Sequence, residues 1–215
     1  MLLLAVLVNG LALATVCAPP ALTTEEGESV SGYLPAPMAV VEKMLELARV
    51  KPGEKVYDLG SGDGRIVIMA AQKYGARGYG IELDSKLCQA ARVRIASLGL
   101  GSQVTIIEGS FFHQDLSAAD VITVYLDPRG MERVRKLLET FLHHGLRIVV
   151  CESELTGWKP TVRVSIHDKE SNKAFAILLY EISRPGDWTS FGAFGKPARG
   201  RPATGKVLQK SSEGP

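Results

Sequence analysis

The sequence predicts an α/β fold, a doubly wound and mostly parallel sheet of seven strands that ends in an antiparallel hairpin. Three observations lead to this prediction. An apolar strand, Val56 to Leu59, turns through three glycines into a helix. Segments with strand and helix periodicity then alternate along the chain, as in parallel sheets covered by helices. Two strand-like runs before residue 183 are separated only by a short polar turn, which is typical of a hairpin.

Length and composition agree with a single enzyme-sized domain. The 215 residues are sufficient for one well-buried core. The formal net charge of +2 is too small to indicate a polyanionic partner. The three cysteines have neither disulfide nor zinc spacing, so no metal site is predicted. Cys88 and Cys151 lie in predicted regular structure, where we expect them to act as small buried hydrophobic residues.

Residues 1–18 are almost wholly apolar, which is typical of a targeting or anchoring segment. The basic start of a secretory signal is absent. As a helix, the segment would span about 27 Å of a bilayer core of roughly 30 Å. An uncleaved anchor, a cleaved signal and an incorrectly assigned start codon all remain open at this point.

Residues 19–36 are predicted to be a polar, proline-containing linker. Pro37 is well placed to begin a helix whose apolar residues recur with helical spacing as far as Val50. Tyr33 is the sole aromatic residue of the linker and has two interpretations. It either packs against the start of this helix or contacts a ligand bound at the glycine turn that follows.

The prediction of function depends mainly on the glycine turn. Glycine is needed where a strand reverses into a helix and where a ligand approaches the backbone closely. Dinucleotide sites use the spacing GxGxxG, but here Arg65, which begins the helix to Tyr74, stands in place of the third glycine. Acidic side chains in the turn would repel a pyrophosphate and suit a ligand with an amino group and a sulfonium charge, namely S-adenosylmethionine. The candidate cofactor residues of the turn are Asp58, Gly60, Ser61, Gly62, Asp63 and Gly64.

The next strand, Arg77 to Leu83, strengthens this prediction. It ends near Glu82, roughly twenty residues after the glycines, where an acid accepts hydrogen bonds from both ribose hydroxyls. Glu82 and Leu83 therefore join the candidate site. The pattern DxGxGxG resembles motif I of class I S-adenosylmethionine-dependent methyltransferases. A purely structural turn or a site for another nucleotide is the alternative.

A helix from Ser85 to Leu98 and a third strand from Gln103 to Glu108 follow. After that strand, the resembling enzymes often place an aspartate that binds the adenine amino group. Here the corresponding candidates are Gly109, Ser110 and Phe111. A serine hydroxyl accepts this hydrogen bond more weakly than a carboxylate does. Phe111 has an alternative interpretation as an ordinary core residue.

Asp127 is the candidate catalytic residue. It follows the fourth strand, Val121 to Leu126, at the carboxyl edge where doubly wound sheets bind ligands. The sequence YLDP is similar to the DPPY-type motif of amino-group methyltransferases, in which that loop holds the attacking nitrogen. In the alternative interpretation, Asp127 and Pro128 are only the N-cap and first residue of a helix from Arg129 to His144.

The end of the domain is predicted from short strands. A fifth strand, Leu146 to Cys151, precedes the hairpin, whose strands are Thr161 to His167 and Ala174 to Ile182. Trp158 lies between them, either at the substrate entrance or packed at the sheet edge. The catalytic domain is thus predicted over residues 37–184. Residues 185–215 are basic and rich in glycine and proline, which predicts a disordered tail.

Several motifs together resemble one group of methyltransferases. They are GYLPAPMAVVEKML, DLGSGDGRIVI, GYGIE and WKP. The group includes bacterial proteins of undefined substrate and the mitochondrial protein-lysine methyltransferases of the ATP synthase c subunit and the adenine nucleotide translocase. The resemblance implies a Rossmann-like fold and methylation of lysine in a membrane-associated protein. One departure is Asp127, where those enzymes tend to have an apolar residue.

The resemblance leaves alternatives for the acceptor and the location. A protein substrate is favoured, with a membrane protein as one option. A nucleic-acid or small-molecule amino-group methyltransferase and a non-catalytic S-adenosylmethionine-binding protein remain as alternatives. Because S-adenosylmethionine is made in the cytosol, cleavage after export would separate the enzyme from it. We therefore expect membrane association through residues 1–18, with the catalytic domain on the cytosolic or a matrix-like side.

Overall fold

The computed structural model describes residues 35–183. The predicted anchor at residues 1–18, most of the linker with Tyr33, and the predicted tail at 185–215 lie outside the described residues, so the expectations for them stay predictions. Within residues 35–183, no helix combines the length and the apolar character that a membrane crossing requires.

The sheet confirms the predicted fold class. It has seven strands in the spatial order β3-β2-β1-β4-β5-β7-β6. Strands β1 to β5 pair in parallel, and β7 runs antiparallel to both β5 and β6, as the hairpin prediction requires. The strands are β1 Lys55–Leu59, β2 Arg77–Glu82, β3 Val104–Glu108, β4 Val121–Val124, β5 Arg147–Cys151, β6 Val162–Asp168 and β7 Lys173–Glu181.

Helices cover both faces of the sheet. They are α1 Met38–Leu47, α2 Arg65–Tyr74, α3 Ser85–Ser97 and α4 Met131–Glu139, with short 3-10 turns at Phe111–His113 and Pro128–Gly130. Apolar side chains of α1, α2 and α3 pack on one face, and those of α4 pack on the other. This two-sided arrangement brings the carboxyl ends of the parallel strands to one edge, where ligands bind in such folds.

Two helices are shorter than the sequence predicts by three residues or more. The helix α1 ends at Leu47 rather than Val50, because Arg49 has a left-handed φ of 51° and the chain leaves the helix there. The helix α4 spans only Met131–Glu139 rather than residues 129–144. At its end, the ring nitrogen Nε2 of His143 lies 2.9 Å from the carbonyl oxygen of Ala119, a tertiary contact that holds the chain in a loop.

Arg147 joins the start of β5 to the end of α1. Its guanidinium donates to the carbonyl of Ala48 at 2.7 Å and to Glu54 Oε1 at 2.7 Å. Only 11% of the Arg147 side chain and 18% of the Glu54 side chain are exposed. The cation therefore neutralises both a helix C-terminus and a mostly buried carboxylate.

We expect Arg147→Ala to lower the free energy of unfolding by about 3 kcal/mol, since the Glu54 carboxylate loses its counter-charge in a poorly hydrated position. Urea denaturation measures the change. The matched control is Arg163→Ala, which breaks an ion pair with Glu154 whose side chains are 51% and 53% exposed. The control should cost less than about 1 kcal/mol. Equal losses for the two variants would contradict this account of Arg147.

Candidate active site

The turn after β1 requires glycine because its backbone is left-handed and because it lies close to a neighbouring side chain. Gly60, Gly62 and Gly64 have φ values of 78°, 53° and 75°, which lie in the left-handed region. A Cβ atom added at Gly60 would lie 2.9 Å from Cδ2 of Leu126, just beyond β4. The turn therefore lies against the end of β4, next to the residue that precedes Asp127.

The backbone amides of the turn are directed into the protein. The N–H groups of Gly60 and Ser61 both donate to the carbonyl oxygen of Ile81, at 2.9 and 3.0 Å. That of Gly62 donates to Oε2 of Glu82 at 2.8 Å. A turn that binds pyrophosphate presents such amides to the phosphate oxygens instead. This arrangement disfavours an anionic ligand and agrees with the expected cationic one.

Glu82 links the turn to the end of β2. Besides the bond from Gly62, its Oε1 accepts hydrogen bonds from the amides of Leu83 and Asp84, at 2.8 and 2.9 Å. Because a carboxylate has about four acceptor sites, it can still accept from a sugar hydroxyl. Leu83 is 40% exposed beside it, as an apolar surface for a ligand. The structure thus brings together two parts of the predicted site that are far apart in sequence.

Asp58 is a buried carboxylate, only 2% exposed, at the centre of the sheet. Its Oδ1 accepts a hydrogen bond of 2.7 Å from Oγ1 of Thr123, its neighbour on β4. Burial raises the pKa of Asp58 to about 7, with smaller effects from the Thr123 hydrogen bond, which lowers it, and from Glu82 and Asp63, which raise it. A buried acid with these neighbours fits a ligand that brings a positive charge.

Ser61 and Asp63 direct their side chains to the protein. The Ser61 hydroxyl is buried without a hydrogen-bond partner among the described residues. It lies over Gly80 of β2, where an added Cβ would be 2.6 Å away from it. The Asp63 carboxylate is hydrogen-bonded by Arg65 and Arg94. The Ser61 amide is also engaged, with Ile81, and its carbonyl oxygen accepts from the amide of Gly64 at 2.9 Å, which leaves one carbonyl lone pair for a cofactor.

The residues after β3 form the next part of the edge. The amide of Gly109 donates to the carbonyl oxygen of Glu82 at 2.8 Å, which joins the ends of β3 and β2. The Ser110 hydroxyl accepts from the amide of Phe112 at 3.3 Å and begins the first 3-10 turn. Phe111 is 7% exposed and packs in the core on the α4 face, which agrees with its interpretation as a core residue.

Asp127 lies at the same edge, between β4 and the 3-10 turn Pro128–Gly130. Gly130 is the N-cap of α4, and the 3-10 turn that starts at Pro128 runs directly into this helix, so Asp127 precedes the 3-10 turn and not the α-helix itself. The chain makes a 3-10 turn first, in which the amide of Gly130 reaches the carbonyl of Asp127 at 3.4 Å. Asp127 is half-buried and directly follows Leu126, the residue in contact with Gly60.

Three other residues that the sequence analysis considered, Trp158, Cys88 and Cys151, are buried and pack in the core. Trp158 is 6% exposed and meets the ring of Tyr180 edge-to-face, with the ring centroids 5.9 Å apart. This confirms its interpretation as a packing residue. Burial raises the pKa of the Cys88 thiol to about 11 and that of Cys151 to about 12, as expected for inert buried cysteines.

Sequence reasoning missed two features of the site. Thr123, the hydrogen-bond partner of Asp58, is the one polar residue of the strand sequence VITV. A polar residue in an otherwise apolar buried strand is the signal that could have indicated this role. The guanidinium of Arg65 reaches the carbonyl of Ala36, which no local pattern indicates. Both contacts depend on pairings between distant parts of the chain.

Comparisons with known proteins agree with this geometry. Residues 58–162 match the family model described as the ANTKMT methyltransferase domain. A protein-lysine N-methyltransferase of Saccharolobus islandicus is 36% identical over 151 residues, which cover 70% of this chain and 92% of that protein. The adenine nucleotide translocase lysine N-methyltransferase of Mus musculus is 30% identical, over 82% of this chain and 73% of that enzyme. The lysine N-methyltransferase of the ATP synthase c subunit from Xenopus laevis is 31% identical, and the match spans 60% of this chain and 56% of that enzyme.

Solved structures give the same fold. An RNA methyltransferase from Salinibacter ruber, in complex with S-adenosyl-L-homocysteine, is 37% identical with a TM-score of 0.64. The match covers 72% of this chain and 98% of that one. The m1A22 tRNA methyltransferase of B. subtilis has a TM-score of 0.56 at 17% identity, which shows a shared fold alone. With its fold and the coverage of these relatives, the chain belongs to the S-adenosylmethionine-dependent methyltransferase family that includes the protein-lysine N-methyltransferases.

Proposed function

We propose that this methyltransferase modifies the ε-amino group of lysine in a protein substrate. The observation that carries the proposal is the 36% identity to the protein-lysine N-methyltransferase of Saccharolobus islandicus across 92% of that protein. The match spans nearly the whole relative and is therefore not confined to the cofactor turn.

The residues present fit S-adenosylmethionine, which when bound supplies an electrophilic methyl group on a sulfonium. In this proposal, the buried negative charge of Asp58 attracts the cationic part of the cofactor. Glu82 would accept a hydrogen bond from the ribose, and Leu83 and Ser110 would line the space for the adenine. The glycines at 60 and 62 leave room for the close approach of the ligand to the backbone.

Catalysis at this edge depends mainly on positioning and on exclusion of water. A lysine amine must lose its proton before it attacks, and a poorly hydrated site favours that loss by lowering the pKa of the amine. Asp127 opposes this shift if it lies close to the ammonium, but it orients the amine toward the cofactor. We therefore assign to Asp127 the orientation of the acceptor.

Asp127→Asn should lower kcat by about 100-fold, because an amide orients an amine less firmly than a carboxylate does. The Kd for S-adenosylmethionine, measured by calorimetry, should change less than twofold. Urea denaturation controls for damage to the 3-10 turn that follows Asp127. An unchanged kcat would show that Asp127 serves only the local structure.

The proposed acceptor class is tested by transfer of radiolabelled methyl groups. The full chain is incubated with labelled S-adenosylmethionine and with membrane or soluble extract, and the products are treated with protease or nuclease. Lysine methylation predicts label that protease releases and nuclease does not. Label released only by nuclease, or lost on dialysis, would contradict the proposal.

An RNA acceptor is the second candidate function. It is favoured by one observation, the 37% identity to the protein from Salinibacter ruber that is described as an RNA methyltransferase. The small net charge of +2 argues against it, because RNA-binding surfaces are usually strongly basic. Nuclease-sensitive label in the transfer experiment would support this candidate.

For location, we propose membrane association through residues 1–18, with the catalytic domain at 37–184 on the side that contains S-adenosylmethionine. The support is the apolar sequence of this segment, together with the substrates named for two relatives, ATP synthase subunit c and the adenine nucleotide translocase. Carbonate extraction of membranes that carry the full chain tests it. The anchored protein stays in the pellet, and release into the supernatant would contradict the proposal.

A further inference from the structure

Arg65 and Asp63 form a two-pronged ion pair at the start of α2. Nε of Arg65 donates to Oδ1 of Asp63 at 2.9 Å, and Nη2 donates to Oδ2 at 2.9 Å. The backbone amide of Arg65 adds a bond of 3.2 Å to the same Oδ1. The two side chains are only 22% and 24% exposed. This bidentate geometry restricts both side chains to one arrangement.

The same guanidinium holds the segment that leads into α1. Its Nη1 donates to the carbonyl oxygen of Ala36 at 2.6 Å. Ala36 is 3% exposed and lies two residues before the start of α1. One side chain thus connects the glycine turn to a segment 29 residues earlier in the sequence.

The charges show that Asp63 is committed to this contact. Burial alone would raise the pKa of Asp63, but the hydrogen bonds and charge of Arg65, with the charge of Arg94, lower it below its ordinary value. The carboxylate is therefore ionised at neutral pH, and both oxygens accept from arginine. This differs from the role expected from the sequence, in which Asp63 binds the cofactor directly.

We propose that Asp63 and Arg65 are positioning residues for cofactor binding. They hold the glycine turn in its binding conformation and keep the segment at Ala36 against it. The proposal rests on the cofactor site described under the proposed function, but it does not depend on the identity of the methyl acceptor.

The reason lies in the backbone on each side of Asp63. Gly62 and Gly64 both have left-handed φ values, of 53° and 75°. Glycines have access to many other conformations, so the turn would be loose without a contact that restrains it. Because a loose turn must be ordered when the cofactor binds, loss of the ion pair should raise the Kd without a change in the methyl-transfer step.

A double-mutant cycle on the full chain tests the proposal, with the Kd for S-adenosylmethionine measured by calorimetry. Asp63→Asn and Arg65→Gln should each raise the Kd about 10-fold. The Kd of the double variant should be no higher than the higher of the two single-variant Kd values. When the variants methylate an extract, the KM for S-adenosylmethionine should rise, and kcat should stay within twofold of the wild-type value. If the two residues act on cofactor binding independently of each other, the two effects multiply to about 100-fold, which would overturn the proposal.

Two further variants sharpen the test. Arg65→Lys keeps the positive charge but loses the planar guanidinium that forms two parallel hydrogen bonds, so we expect its Kd to resemble that of Arg65→Gln. Wild-type affinity in Arg65→Lys would overturn the proposal, even if Asp63→Asn does not fold. Arg163→Gln is the control, because it breaks an exposed ion pair with Glu154 at the far edge of the sheet, and its Kd should change less than twofold. Absence of binding by the wild-type chain would refute the cofactor site itself. Binding by the wild type with multiplicative variants would refute the positioning role alone.

Discussion

Asp58→Asn is expected to weaken S-adenosylmethionine binding about 100-fold at pH 8 and, at the same pH, to stabilise the cofactor-free protein. The variant keeps the acceptor atom for the 2.7 Å bond from Thr123 but removes the buried charge. The charge attracts the cationic cofactor, and its burial destabilises the free protein. Calorimetry measures the first effect, and urea denaturation without cofactor measures the second.

The sign of the pH dependence follows from the raised pKa. Asp58 titrates at about 7 in the folded protein against an ordinary value of 3.8, so the folded state holds its proton more tightly than the unfolded state. The contribution of Asp58 to stability is therefore present below about pH 4 and is lost as the pH rises toward 7. Asn has no proton to lose, so the variant should lack this loss.

Cofactor affinity should have the opposite trend. Only the ionised form of Asp58 attracts the cation, so wild-type affinity should rise with pH through about 7 and then level off. In Asp58→Asn this rise should disappear. Equal affinities for wild type and variant at pH 8, or a pH dependence that survives in the variant, would contradict the role assigned to Asp58.

Gly60→Ala should abolish measurable cofactor binding. The new Cβ would lie 2.9 Å from Leu126 Cδ2, closer than carbon atoms normally approach, and the φ of 78° is strained for any residue with a side chain. The Leu126 side chain can rotate to relieve the contact, but the strained φ stays in the turn, and relief of that strain displaces the site. Calorimetry with S-adenosylmethionine provides the measurement.

Gly99→Ala is the matched control for Gly60→Ala. Gly99 follows α3 with a φ of 69°, but an added Cβ there would meet no atom within 4 Å. We expect this variant to lose about 1 kcal/mol of stability to backbone strain and to bind cofactor like the wild type. If both variants bind normally, the glycine turn is not the cofactor site.

Local signals account for the elements that sequence analysis predicted well. The bounds of α2, Arg65–Tyr74, agree with the prediction because glycines stand on both sides of it. Gly64 and Gly75 have φ values of 75° and 66° and mark the two ends of the helix. The helix α4 has no such terminal signal, and its limits follow from the 3-10 turn before it and from the contact between His143 and Ala119.

The site was predictable as far as its motifs are local. The glycine turn and Glu82 lie on consecutive strands that pair in parallel, so their proximity followed from the topology. The Asp58 to Thr123 bond spans 65 residues and depends on the register of β1 against β4. The register of β1 against β4 cannot be read from the periodicity of the sequence. The contact between Arg65 and Ala36 cannot be read from it either.

The chemical identity of the methylated product tests lysine methylation most directly. Protein labelled by the full chain with radioactive S-adenosylmethionine is hydrolysed completely in acid, and the hydrolysate is separated by chromatography beside methylated amino-acid standards. We expect the label to elute with N-methylated lysine. Label in a methylated nucleoside, in another amino acid, or released as methanol from a methyl ester would contradict it.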